Sequence, residues 1–112
     1  MSNHDGLVIE AERLAGELRK RGDDWADKDA AYKALEEVQK SVLANSFVAT
    51  DGSVAEREAK ARISPAFMEH LGAIAKARQE ANRARVSYDV YRTYVELMRS
   101  NASTQRALVN LT

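Results

Sequence analysis

The chain has 112 residues, 30% of them charged and 45% apolar, with 17 Lys and Arg balanced by 17 Asp and Glu. A single domain is what this length ordinarily supports; the apolar share is too high for a disordered tail, and 5 Gly with 1 Pro are too few for an all-β sandwich or barrel. The absence of cysteine removes disulfide scaffolds, thiolate metal sites and cysteine nucleophiles.

In chain order, Met1-Ser2-Asn3-His4-Asp5 has neither a basic opening nor an apolar core, so no secretory signal is expected. The longest near-apolar run, Leu7-Val8-Ile9, falls far short of the ~20 residues of a membrane helix. Together with the lack of cysteine, this predicts a cytoplasmic protein without a membrane segment. Asp5 is placed to cap a helix start. From Leu7 the steps alternate between three and four residues through Leu14, Leu18, Trp25, Tyr32, Leu35 and Val42, and eight of eleven seam positions are apolar. That pattern predicts a helix over about 6–47. The seam is polar at Arg21 and Lys28, and Gly22 lies inside it, so a kink or short interruption is expected there.

The strongest turn signal is Thr50-Asp51-Gly52-Ser53, which sets a turn over 48–53. Ser53-Val54-Ala55-Glu56 matches a capping box, in which the Ser oxygen and the Glu carboxylate satisfy each other's orphan backbone amides. A second helix is therefore predicted over about 54–99. At Ser64-Pro65 either a new helix starts, with Ser capping and Pro in the first position, or one helix continues with a proline kink. Beyond the break the seam is cleaner: nine of ten positions from Phe67 to Met98 are apolar, with His70 the exception. The central Ala77-Ala81-Ala84 is narrow and suits a bulky partner such as Trp25 or Tyr32. Ser100 to Thr104 weakens helix propensity, and a short last helix is expected over about 104–110.

These elements predict an all-α, coiled-coil-like antiparallel hairpin in one domain over 1–112. Val38, Leu43, Val48, Val86, Val90 and Leu97 fall off the main seams. A lone hairpin buries little, so pairing into a homodimeric four-helix bundle is the expected way to cover them.

The neutral total hides a division. Residues 1–52 hold 7 Lys/Arg against 11 Asp/Glu, a net of −4, and residues 53–112 hold 10 against 6, a net of +4. Complementary solvated faces of two paired helices are the plain explanation. A sharper one places a partner-binding edge on the second helix at Lys76, Arg78, Arg83, Arg85 and Arg92, with Tyr94 beside it. Arg78, Arg85 and Arg92 recur every seven residues and so line one edge. Clustered arginines supply phosphate contacts, and an off-seam tyrosine can stack on a base.

Other constellations point to structure before chemistry. The isolated glycines build no phosphate loop. Two histidines cannot build a multi-histidine metal site, and His70 on an apolar seam reads as a packed or hydrogen-bonded residue. Asp23, Asp24, Asp27 and Asp29 around Trp25 lack the alternating ligands and sixth-place Gly of a calcium loop, so they read as a solvated charged face. Neither seam contains Asp or Glu, so no acid is aimed inward for catalysis. No cofactor and no enzymatic activity are expected.

Gly52-Ser53-Val54-Ala55-Glu56-Arg57-Glu58-Ala59-Lys60-Ala61, followed by a long helix carrying Tyr91-Arg92 and Arg99-Ser100-Asn101, resembles small helical proteins of tailed bacteriophages and prophages. The resemblance covers the second half of the chain, and the Ser64-Pro65 break departs from it. It implies an accessory role in phage DNA recombination or replication and carries over no catalytic residue. The expected function is thus a non-enzymatic helical interaction protein. The alternative is a protein-only binder or inhibitor that offers the acidic arm to a basic groove on a host protein.

Overall fold

The computed structural model describes residues 3–111, with the side chains of residues 8–111. The Asp5 and Leu7 side chains, proposed as cap and first seam residue, lie outside the described residues. Among these the elements are α1 (Asn3–Glu37), α2 (Gln39–Val48), α3 (Val54–Arg62) and α4 (Pro65–Leu111), with no strand. The fold class is all-α. The chain divides into two compact units, each drawing on both long helices: unit 1 is residues 1–25 with 83–112, and unit 2 is residues 26–82.

Unit 2 is an antiparallel hairpin. Its end is built by α2, the turn and α3. Gly52 has φ +122°, a conformation L side chains rarely adopt, and an added Cβ would stand 2.6 Å from the Glu56 carboxylate. Ser53 Oγ accepts the Glu56 N–H at 3.3 Å and caps α3, which is the Ser half of the capping box. Across the turn the Arg57 guanidinium lies 4.2 Å over the Phe47 ring and donates to the Phe47 carbonyl at 3.3 and 3.4 Å, serving the open end of α2. At Ser64-Pro65 a new helix starts: Ser64 Oγ accepts the Phe67 N–H at 3.3 Å, its carbonyl accepts the Met68 N–H at 3.0 Å, and Pro65 takes the first position. The buried residues here are Ser46, Ala61, Phe67, Ile74 and Ala81.

The interruption expected at Gly22 is absent, since α1 runs unbroken from Asn3 to Glu37. It falls instead at Val38, with φ −88° and ψ 0°. The cause is on the neighbouring helix. His70 Nε2 bonds the Leu35 carbonyl at 2.9 Å, an oxygen that the Gln39 amide serves in an unbroken helix. A side chain inserted into the ladder ends it there, and α2 restarts one residue on. The expectation that His70 is a hydrogen-bonded seam residue matches this geometry.

Unit 1 pairs residues 3–25 of α1 antiparallel with the end of α4, burying Leu14, Ala84 and Val95. Gly22 has a packing use: an added Cβ would meet Tyr88 Cε2 at 3.3 Å, so the bare backbone admits the ring. Tyr88 in turn packs on Trp25, with ring centroids 5.5 Å apart and planes at 36°. The short last helix expected over 104–110 is not separate, because α4 continues to Leu111. Ser, Asn and Thr each cost only a few tenths of a kcal/mol in a helix, and without Gly or Pro nothing stops it.

Candidate functional site

Arg13–Glu10 (2.6 Å), Arg21–Glu17 (3.0 Å), Lys33–Asp29 (2.8 Å) and Arg92–Glu96 (4.0 Å) each lie within one helix, three or four residues apart. Hydrogen bonding to Arg13 holds the Glu10 carboxyl below the usual carboxylate range, and the Asp29 partner raises Lys33. Exposed pairs of this kind are weak in salt; Arg21–Glu17 is half-buried. Between helices, arginines meet aromatic rings and hydroxyls instead. In unit 1 the Arg21 guanidinium lies 4.6 Å over Tyr91 and donates to Ser87 Oγ at 2.7 Å; within α4, Arg92 lies 5.9 Å from the Tyr88 ring centre. In unit 2 Arg78 lies 5.3 Å from the Tyr32 ring centre and its Nε donates to Tyr32 Oη at 3.1 Å.

The residues proposed from sequence as a partner-binding edge divide accordingly. Lys76 and Arg78 belong to unit 2, and Arg78, though exposed, is held by Tyr32. Arg83, Arg85, Arg92 and Tyr94 belong to unit 1, and all four are exposed. Tyr94 packs beside Tyr91 with centroids 5.8 Å apart. No hydrogen bond or ion pair among the described residues involves Lys76, Arg83 or Arg85.

The continuity of α4 brings in two residues that sequence reasoning missed. Arg99 and Arg106 extend the seven-residue recurrence of Arg85 and Arg92, and both are exposed without an ion-pair partner among the described residues. The helix predicted over 54–99 already holds Arg99, and its end there hides only Arg106; carrying the seven-residue step onward finds both. Within unit 1, four arginines thus stand about 10.5 Å apart along one edge of one helix. The α1 acids Glu10 and Glu17 bond arginines of their own helix.

Of the acidic group, Asp29 pairs with Lys33, and no cluster of three or more His, Asp or Glu able to hold a metal exists among the described residues. No described helix is long and apolar enough to cross a membrane. Comparison of the chain with protein-family models, curated proteins and solved structures gave no match.

One buried polar atom in unit 1 lacks a partner. Tyr91 Oη is enclosed and makes no hydrogen bond among the described residues. Replacing a desolvated, unpaired hydroxyl with hydrogen removes a penalty of about 1–3 kcal/mol. Tyr91→Phe, which keeps the ring under Arg21, should therefore raise the urea midpoint by an amount worth about 1 kcal/mol. A lower midpoint would mean that the hydroxyl is satisfied in solution.

Proposed function

We propose that this chain is a non-enzymatic helical interaction protein that works as a homodimer and docks a nucleic-acid backbone along the arginine edge of α4 in unit 1. The observation that carries the reading is the exposed row Arg85, Arg92, Arg99 and Arg106, three of whose members have no ion-pair partner among the described residues. The three arginines without a carboxylate partner keep their donors for phosphate, while Arg92 is paired with Glu96 and Arg83 lies on the opposite face of the helix. Tyr94, about half a helical turn from this row, does not share its face. The phage-like turn and capping box in the second half of the chain support an accessory role in DNA recombination or replication, carried out in a bacterial cytoplasm.

The test is binding of the full chain to fluorescent single-stranded and duplex DNA over a salt series. About four phosphate contacts would weaken duplex binding roughly a hundredfold between 50 and 200 mM salt. Arg85→Glu/Arg99→Glu should abolish binding and leave the circular dichroism unchanged, since neither side chain packs against α1. Arg78→Glu is the contrast, because it breaks the Tyr32 contact and so acts on stability. No binding of the parent at low salt would overturn the nucleic-acid reading in favour of a protein-only partner. Undiminished binding by the double reversal would discard this edge.

A further inference from the structure

Residues 86–111 of α4, all in unit 1, carry a second apolar seam about half a helical turn from the buried one. Val90, Tyr94, Leu97, Asn101, Thr104, Leu108 and Leu111 follow one another by alternating steps of four and three, the period of a coiled-coil face. The five apolar members are open: Val90 is 64% exposed, Tyr94 45%, Leu97 60%, Leu108 58% and Leu111 83%. The Ala81-Ala84-Val95 seam is covered by its own fold, and of the open residues Tyr94 packs beside Tyr91.

We infer that this seam is where a second copy of the chain packs, face to face about a two-fold axis, giving the proposed homodimer its interface. Two observations select a second copy. The first is charge. Asp89, Arg92, Glu96, Arg99 and Arg106 are the charged residues between 86 and 111, and helical spacing puts all of them on the other half of α4. The positions flanking the seam are Thr93, Ser100 and Ala107 on one side and Tyr91, Met98 and Gln105 on the other. A surface meeting its own copy meets its own charges, and from Val90 to Leu111 this one has none to repel; Arg83, one heptad before Val90, would meet itself in a parallel pair and lies beyond the overlap in an antiparallel one. The second is area. The chain exposes 8604 Å², about 2,500 Å² more than mass scaling gives for a folded monomer of its size. Obligate dimers bury roughly 1,000–2,500 Å² per copy, so the excess of the whole chain, of which this seam is one part, is of the order a dimer covers.

Asn101 and Thr104, adjacent in the seam, set the register. In a parallel pair each meets itself; in an antiparallel pair Asn101 meets Thr104 while Leu97 faces Leu108 and Tyr94 faces Leu111. Slipping by a heptad in either case buries a polar group against Leu, which is the cost that fixes coiled-coil register.

The inference rests on the dimeric part of the proposed function and is independent of the arginine edge. Sedimentation equilibrium of the full chain over a micromolar concentration series should return twice 12.4 kDa. Val90→Glu/Leu97→Glu should raise the dimer dissociation constant by roughly a hundredfold or more, leaving a monomer. Should that variant lose its helical circular dichroism, the parent background still decides the matter. The cysteine-free chain accepts single probes, and Asn101→Cys should cross-link to a covalent dimer with a short bis-maleimide much faster than Ser103→Cys on the opposite half of the helix. A parent that stays monomeric, a dimer that survives both Glu substitutions, or equal cross-linking at 101 and 103 overturns the inference. DNA binding read on the same samples separates the two proposals, since a monomer that still binds in a salt-dependent way removes only this one.

Discussion

Phe67→Ala is expected to cost unit 2 about 3–5 kcal/mol, the range for emptying a buried aromatic site. Phe67 is 5% exposed and stands in the first turn of α4, next to the point where the chain re-enters a helix after Ser64-Pro65. The other buried apolar residues of unit 2 are Ile74, Ala61 and Ala81, so Phe67 and Ile74 are its most deeply buried large side chains, with Leu35 and Leu71 half-buried. No large side chain in the molecule falls below 2% exposure among the described residues, which leaves no reserve of deep burial to absorb the loss. Against a total stability of about 5–15 kcal/mol for a domain of this size, the variant should lose most of its cooperative urea transition. Val48→Ala, at a site 75% exposed, should stay within about 0.5 kcal/mol of the parent. If both variants unfold at the parent's midpoint, the Phe67 ring is not buried in solution.

Ser64→Ala is expected to cost about 2–3 kcal/mol through two separable losses. Its hydroxyl caps α4 by accepting the Phe67 N–H at 3.3 Å, and it bonds the Ala61 carbonyl at 2.8 Å. The same hydroxyl shares a 3.0 Å hydrogen bond with Ser46, which is 9% exposed and whose own carbonyl accepts the Thr50 hydroxyl at 2.8 Å. Removing Ser64 Oγ therefore uncaps a helix and strips a buried hydroxyl of this bond. In Ser46→Ala/Ser64→Ala the second penalty disappears, because no unpaired donor is left behind. The double variant should fall short of additivity by about 1 kcal/mol in a urea-based cycle. Strict additivity would show that the two serines do not meet.

These two sites also show what the sequence could and could not disclose. The Ser64 cap and the Phe67 seam position follow from local rules, since a Ser-Pro pair and a three-four repeat carry their meaning within a few residues. The Ser53 cap and the Gly52 turn belong to the same class. The break at Val38 does not, because its cause is His70, 35 residues beyond the carbonyl it takes. Gly22 was open to misreading for a similar reason: a glycine in a helix signals weakness until Tyr88 from the other helix is known to rest on it. On the candidate edge, the seven-residue recurrence was visible as far as Arg92. Arg99 lies inside the predicted helix, one further step on, while Arg106 lies beyond Ser100 to Thr104, whose weak propensities do not stop a helix as Gly or Pro does. The contact that occupies Arg78 was also beyond reach, because Tyr32 lies 46 residues away in sequence.

The placement of Trp25 gives the molecule a built-in optical label. It is the chain's single tryptophan, it lies in unit 1, and its ring is 5.5 Å from Tyr88. Light absorbed by that tyrosine will reach the indole while the two rings remain together, so excitation at the phenol band reports the integrity of unit 1. Unit 2 contains Tyr32 but no indole and is silent in tryptophan emission. Emission and backbone ellipticity, followed together through one melt, therefore record different parts of the same chain, and any gap between the two curves measures how independently the units come apart.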